Sequence, residues 1–282
     1  MSRAPLSFLN GDPPSATIVR MASAPRAGST ARQRARAELT REIKAEARRQ
    51  LAAHGAQQLS LRAVARALGM VSSAIYRYFP SRDDLLTALI IDAYDSLGAA
   101  AEKAGQGQPA AAVRGRWRAV CTAARNWALA NPHEYALIYG SPVPGYRAPE
   151  ATIAPAARVA VVFGQILADA AMTRPGTGPG QAVPDAADGQ PRPGQAAARA
   201  ADGQSRPAPA LSPLLTRQAA ALADAIAPGV PAPVVARALI AWTQLFGMIS
   251  FELFGQFVGS ADPADDFFGY AVDQMATLVG LD

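Results

Sequence analysis

Between Ser60 and Arg82 the chain gathers hydroxyl, phenol and guanidinium groups at spacings that suit a DNA groove. Leu61, Val64, Ala65 and Leu68 recur at i, i+3, i+4 and i+7, the period of one buried helix face, and Ser60 stands where its hydroxyl can cap the first exposed amides. Gly69 can take the left-handed conformation that closes such a helix, and Ser72 is placed to cap a second one after the Met70-Val71 step. Two short helices meeting across a tight turn form a helix-turn-helix. In the second helix Ile75 and Phe79 face a core, which leaves Ser72, Ser73, Tyr76, Arg77 and Tyr78 on or near the outer face. Such groups hydrogen bond and stack on nucleic acid. Arg62 and Arg82 add cations suited to phosphate, whereas Arg66 reads as solvated. Tyr76 and Tyr78 have a second reading, as aromatics packed against the preceding helix.

Charge is distributed in the same sense. Residues 1 to 82 hold 14 Arg or Lys against 4 Asp or Glu, and residues 83 to 282 hold 13 against 18. A basic amino-terminal part on an acidic remainder fits an electrostatic footprint confined to one end of the molecule. Only Lys44 and Lys103 are lysines among the 27 basic residues, a bias that a GC-rich genome also produces.

The elements that must hold this surface are helical. Thr30 to His54 carries a seam of Leu39, Ile43, Ala47 and Leu51 at fourfold spacing and ends at Gly55. Ser81 and Asp84 have capping-box-like spacing at the start of a further helix lined by Leu85, Leu86, Leu89, Ile90 and Ala93, which breaks between Gly105 and Pro109. Ala110 to Ala130 forms a helix ended by Asn131-Pro132. Leu214 to Ile226, Pro233 to Val258 and about Pro263 to Leu281 complete the set, and no alternating strand pattern interrupts them. Between 173 and 212 the composition shifts to Pro, Gly, Ala, Gln and Asp, and A-A-D-G-Q-P-R-P at 186 to 193 recurs as A-A-D-G-Q-S-R-P at 200 to 207. With so few large hydrophobes this segment reads as a disordered loop. The expected fold is all-α. Its parts are a disordered basic extension over 1–29, in which Met21 is a candidate start, a three-helix DNA-binding domain over 30–80, and a larger helical ligand-binding and dimerisation domain over 81–282.

Residues 60 to 82 resemble the DNA-binding signature of the TetR family of bacterial repressors. The features shared are Val64-Ala65, Leu68-Gly69, the aromatic step Tyr76-Arg77-Tyr78-Phe79, and Ser81-Arg82. Arg82 stands where the family usually has Lys, and Ser73-Ala74 departs from many relatives, so base preference does not carry over. Trp127 to Tyr146 resembles the regulatory domain of a TetR subgroup labelled WHG, with its Pro-x-x-Tyr-x-Leu-x-x-Gly-x-Pro arrangement. The resemblance implies a homodimer formed through the last two long helices, a double-stranded palindromic DNA operator, and an unknown small-molecule effector whose binding in the body shifts the fourth helix and lowers DNA affinity. Trp117, Cys121, Trp127, Tyr135, Tyr139, Tyr146, Phe163, Trp242 and Phe246 lie on segments resembling those that line the effector cavity in relatives. Of these, Trp117, Cys121, Tyr139, Phe163, Trp242 and Phe246 are the nominated ligand residues, with a small lipophilic or aromatic effector expected. Plain core packing is the competing reading for each. An activator, or a body that serves only dimerisation or partner recruitment, uses the same parts.

Catalysis is not expected. The two histidines, His54 and His133, lack metal-binding spacing, Gly140-Ser141-Pro142 reads as a turn, and one cysteine excludes an internal disulfide or a multi-cysteine metal site. No cofactor is expected. Residues 1 to 29 lack the apolar core of a signal peptide, and the longest strongly apolar run, Ala238 to Phe251, is shorter than the roughly 20 residues of a bilayer span. A cytoplasmic protein, associated with the nucleoid when on DNA and without a membrane partner, is the expectation.

Overall fold

The computed structural model describes residues 27–173 and 210–281, and among them the chain is all-α: ten helices, two short 3-10 turns and no strand. Most of the expected loop over 173–212, and the basic extension over 1–29 apart from its last residues, lie outside the described residues. Contacts divide the chain into two units, residues 1–42 and residues 43–282. Helix α1 (Ala27–His54) runs through the division. In the first unit its turns expose Arg32, Arg34 and Arg36, and Thr40 Oγ1 donates to the Arg36 carbonyl at 2.8 Å.

The second unit begins with a small core of Ile43, Ala47 and Leu51 together with Leu59, Leu61, Val64, Ala65, Ile75 and Phe79, all buried. Gly55, at φ 76°, ends α1 and donates to the Leu51 carbonyl at 2.9 Å. Helix α2 (Leu61–Ala67) is capped by Ser60, whose hydroxyl accepts from the Ala63 amide. Gly69, at φ 65°, then turns the chain, with the Met70 amide closing onto the Ala65 carbonyl at 2.8 Å. Helix α3 (Ser72–Ile75) differs from expectation in one respect. Its cap is Val71, in extended conformation, and Ser72 is already the first helical residue with no side-chain cap. The helix is one turn long, and Tyr76 to Tyr78 prolong it as a turn, the Tyr78 amide donating to the Ile75 carbonyl at 2.9 Å.

Helix α4 (Arg82–Gln106) starts on the expected cap: Ser81 Oγ accepts from the Asp84 amide at 3.1 Å, and Asp83 and Asp84 sit in the first turn, where the helix dipole favours acids. It buries Leu85, Leu86 and Leu89 at one end and Leu97 and Ala101 at the other, packing on α5 (Val113–Ala130), α6 (Pro132–Tyr139) and α7 (Ile153–Thr173). Helices α8 (Pro213–Ile226), α9 (Ala232–Leu253) and α10 (Asp265–Val279) close the body. Helix α9 stops five residues short of the expected Val258. Gly255, at φ 73°, ends it, with the Gln256 amide closing onto the Phe251 carbonyl at 2.8 Å, so Phe254 and Phe257 lie beyond the helix. Gly280, at φ 82°, ends α10 in the same way.

Two segments, Glu150–Thr173 and Ala232–Leu253, are long and apolar enough to cross a membrane by length and composition. Their inner faces instead supply core: Val159, Phe163 and Ile166 from one, Leu245, Phe246 and Ile249 from the other. Arg125, on α5, is the buried cation of the body among the described residues. It is 8 % exposed, donates to both Glu252 oxygens at 2.6 and 2.7 Å and to Asp265 at 2.9 Å, and lies over the Phe268 ring, tying α5 to α9 and α10.

Candidate nucleic-acid interface and effector cavity

Helix α3 sits on two buried pegs, Ile75 and Phe79, so the intervening side chains are turned outward. Ser72, Ser73 and Arg77 are exposed, Tyr76 is 42 % exposed and Tyr78 half-buried. Arg62 is exposed at the second position of α2. Val71, given no role in the sequence reading, is 74 % exposed beside Ser72. No amphipathic pattern marks such a residue, because the turn rather than a helix face displays it.

Arg82 is placed differently from a phosphate-seeking cation. Its guanidinium donates to the carbonyls of Ala56 at 2.9 Å, Leu59 at 3.1 Å and Gln57 at 3.3 Å, and lies 3.5 Å from Asp83. A planar fork satisfies several carbonyls of one loop at once, which an ammonium group cannot do with the same geometry. The first residue of α4 is thereby pinned to the loop that leads into α2. Further along, Lys44 and Arg48 of α1 both reach Asp92 of α4, and Arg48 also reaches Glu134 of α6 at 2.6 Å.

In the body a cavity of about 140 Å³ lies between α5, α7, α8 and α9. Trp117, Phe163 and Trp242 form part of its wall, as the sequence reading nominated. Phe246 and Tyr139 are off the wall but joined to it through rings: Trp242 and Phe246 centroids are 4.6 Å apart and Phe246 and Tyr139 stack at 4.3 Å. The ladder extends the other way through Phe163, 6.2 Å from Trp242 and 4.7 Å from Trp117. Cys121 is fully buried away from the wall, and burial pushes its thiol well above the usual range. Burial, with Tyr94 and Tyr135 as neighbours, does the same to the Tyr139 phenol, which stays protonated at all physiological pH.

The rest of the wall was not nominated from the sequence. It includes Ala160, Gly164 and Leu167 of α7, Leu222 and Ile226 of α8, and Val235, Ala238 and Leu245 of α9. Gly164 carried a readable signal only in hindsight of the packing: a Cβ there would lie 2.0 Å from the Ile226 carbonyl oxygen, so glycine is what lets α8 approach. Helix α7 is also tied to α4. Arg158 donates to Glu102 at 2.7 and 2.8 Å and to Asp95 at 2.8 Å, its side chain lying where a Cβ on Gly98 would be. A second, larger cleft of about 720 Å³ is lined by both histidines, His54 and His133, with Gln57, Tyr139 and Ser250. Among the described residues no three His, Cys, Asp or Glu side chains are grouped to hold a metal ion.

Comparison with known proteins decides the family. Residues 43–89 match the family described as bacterial regulatory proteins, tetR family, and residues 117–275 match the one described as tetracyclin repressor-like, C-terminal domain. The chain belongs to the TetR family. Curated relatives are the HTH-type transcriptional regulators Mb1846 of Mycobacterium bovis and Rv1816 of Mycobacterium tuberculosis, each 51 % identical over 106 residues, or 37 % of this chain. The match spans 45 % of the length of these curated relatives. Among solved structures, SCO4313, a protein proposed to be regulatory, is 31 % identical over 90 % of this chain and all of its own, with a TM-score of 0.60. A protein of unknown function from Rhodococcus sp. RHA1, 22 % identical over 86 % of this chain and 93 % of its own, shares the fold at a TM-score of 0.52.

Proposed function

We propose that this TetR-family chain is a DNA-binding transcriptional regulator, a homodimer released from a palindromic operator when a small lipophilic or aromatic effector enters the body. The observation that carries the reading is the outward set on α3: Val71, Ser72, Ser73, Tyr76 and Arg77 exposed on either side of the buried Ile75. Hydroxyls and the guanidinium supply hydrogen bonds to bases and phosphates, and Val71 supplies an apolar contact of the kind a thymine methyl takes. Arg62 is left as a phosphate contact, and Arg82 is assigned to the loop clamp. We assign residues 30–80 to the DNA-reading part and residues 81–282 to the body.

Support for the dimer comes from apolar groups left uncovered on the last two helices: Ile240, Phe251, Tyr270 and Phe267 are 58, 53, 64 and 38 % exposed. Among the described residues this face is left partly uncovered, and a two-fold interface covers such a face with itself. Dimerisation would set two α3 surfaces about one turn of DNA apart. The effector signal has a physical route. Helix α7 forms part of the cavity wall, Arg158 fastens α7 to α4, and α4 opens at Arg82 beside the DNA-reading turn. A ligand shifts the resting arrangement only by its differential affinity for the two states.

The test is a competition gel shift on the DNA flanking the protein's own gene, with excess unrelated DNA at two salt concentrations. A discrete complex that survives competitor, and is lost in the Tyr76→Ala, Arg77→Ala double variant while the melting temperature holds, is the expected outcome. A complex that competitor removes, equally for wild type and variant, would sink the operator reading.

A further inference from the structure

We propose that the body cavity takes an uncharged molecule the size of one aromatic ring carrying a single hydrogen-bond acceptor, which the indole N–H of Trp242 engages. The inference rests on the sensor reading above and adds the class of ligand to it. Its first support is size. The cavity measures about 140 Å³. An engineered apolar cavity of about 150 Å³ in another protein stays dry and takes up benzene or xenon. Glycine at 164 is what lets the α7 and α8 backbones approach closely on one side of the body cavity.

Charge is the second. Among the described residues the wall has Trp117, Phe163, Leu167, Leu222, Trp242 and Leu245 and not one ionisable side chain. On α5 and α7, Arg116 is held by Asp169, Arg125 by Glu252 and Asp265, and Arg158 by Glu102 and Asp95. A carboxylate or ammonium entering the cavity would shed its water and meet no counter-charge on the described wall. Aromatic faces reward a planar guest instead, since Trp117, Phe163 and Trp242 are already tilted against one another at 58° and 86° and offer both faces and edges.

The third support separates the three tryptophans. Trp117 Nε1 donates to the Val272 carbonyl at 3.2 Å, and Trp127 Nε1 donates to Ser96 Oγ at 2.9 Å. Trp242 Nε1 makes no such bond among the described residues, and it is not among buried atoms left unpartnered, so it keeps some access to its surroundings. Of the two indoles on the wall, Trp242 is the one whose N–H has no protein partner among the described residues. An indole N–H donates only, so the matching group is an acceptor such as a ketone or ether oxygen.

The experiment uses the full-length protein and four probes: acetophenone, its shape analogue isopropylbenzene, benzoate and myristate. Binding is read by tryptophan fluorescence and by melting temperature. Acetophenone is expected to bind about tenfold more tightly than isopropylbenzene, the factor one net hydrogen bond supplies, with benzoate and myristate inactive. Trp242→Phe should erase the tenfold preference and leave isopropylbenzene binding intact. Ala238→Leu, which fills the wall at a half-buried position, should abolish both without unfolding the chain. Tighter binding of benzoate or myristate, with release of the operator, would overturn the ligand class and leave the sensor reading standing. A discrete operator complex indifferent to all four probes, none of which binds, would overturn both.

Discussion

The candidate DNA-reading turn and the body cavity are built on opposite plans. In the turn, the proposed contact residues lie within seven positions, from Val71 to Arg77, and are exposed, while two buried neighbours, Ile75 and Phe79, hold them. In the cavity, the wall is drawn from Trp117 to Leu245 across four helices, and most of its side chains are themselves core. On the proposed function, contact and stability fall to different residues in the first region and to the same residues in the second. Substitutions in the turn should abolish DNA binding and leave folding alone, whereas substitutions in the body should reach folding first.

The sharpest break of that contrast uses Arg125. Replacing it by Met leaves Glu252, whose side chain is 17 % exposed, without its partner, and removing one member of a buried pair costs on the order of 3 kcal/mol. A large fall in melting temperature is expected, partly restored by adding Glu252→Gln, which removes the stranded charge. Tyr76→Ala, by contrast, should stay within about 0.5 kcal/mol of wild type, as exposed substitutions do. An equal loss from Tyr76→Ala would mean that the phenol is a packing element and that the two regions are not built differently.

Gly164→Ala comes next. The new Cβ meets a backbone carbonyl rather than a flexible side-chain end, so α8 must move, at about 1–3 kcal/mol. Denaturant melts should show the loss, and probe binding in the cavity should weaken with it. Unchanged binding in a destabilised variant would separate wall from core and blunt the comparison.

Arg82 tests the boundary between the regions. As a clamp on three carbonyls it should lose about 1–2 kcal/mol of stability on replacement by Ala. The salt dependence of DNA binding should stay the same. A phosphate contact would instead lower the slope of log affinity against log salt by about one.

The same contrast explains what the sequence made legible. The turn was readable because its information is local: a cap at Ser60, a left-handed Gly69 and pegs four residues apart at Ile75 and Phe79. The one-turn length of α3 and the loss of the Ser72 cap were not, since Val71 entering in extended conformation is a matter of how the turn seats on α2. Three aromatics of the cavity wall were found through their type and their resemblance to family positions, but Leu222, Ile226 and Gly164 have no signal until α8 is seen lying on α7. Arg82 matched a family motif and still has a different set of partners, because identity at a motif position does not fix which neighbours a long side chain will find.

The smallest expected effect concerns Arg158, which links the cavity wall to α4. Its hydrogen bond holds the Glu102 carboxyl below the ordinary glutamate range; burial opposes that shift and the charge of Arg158 adds to it. A carboxyl whose pKa is lower in the folded chain than in the unfolded one stabilises the fold fully above the unfolded value, and loses that contribution as pH falls through the folded one. Glu102 is 37 % exposed in its side chain, so solvent screens the pair and the contribution is at most about 1 kcal/mol. Wild type and Arg158→Met should therefore differ by a small, constant amount near neutrality, and the difference should shrink as the pH drops below about 4. The same variant should weaken the transfer of a cavity ligand's effect to the operator, because α7 would no longer be fastened to α4 at Glu102 and Asp95. If the stability gap persisted unchanged in acid, the Arg158 contribution would be one of packing against Gly98 rather than of charge, and the body would resemble the DNA-reading turn in being held by shape alone.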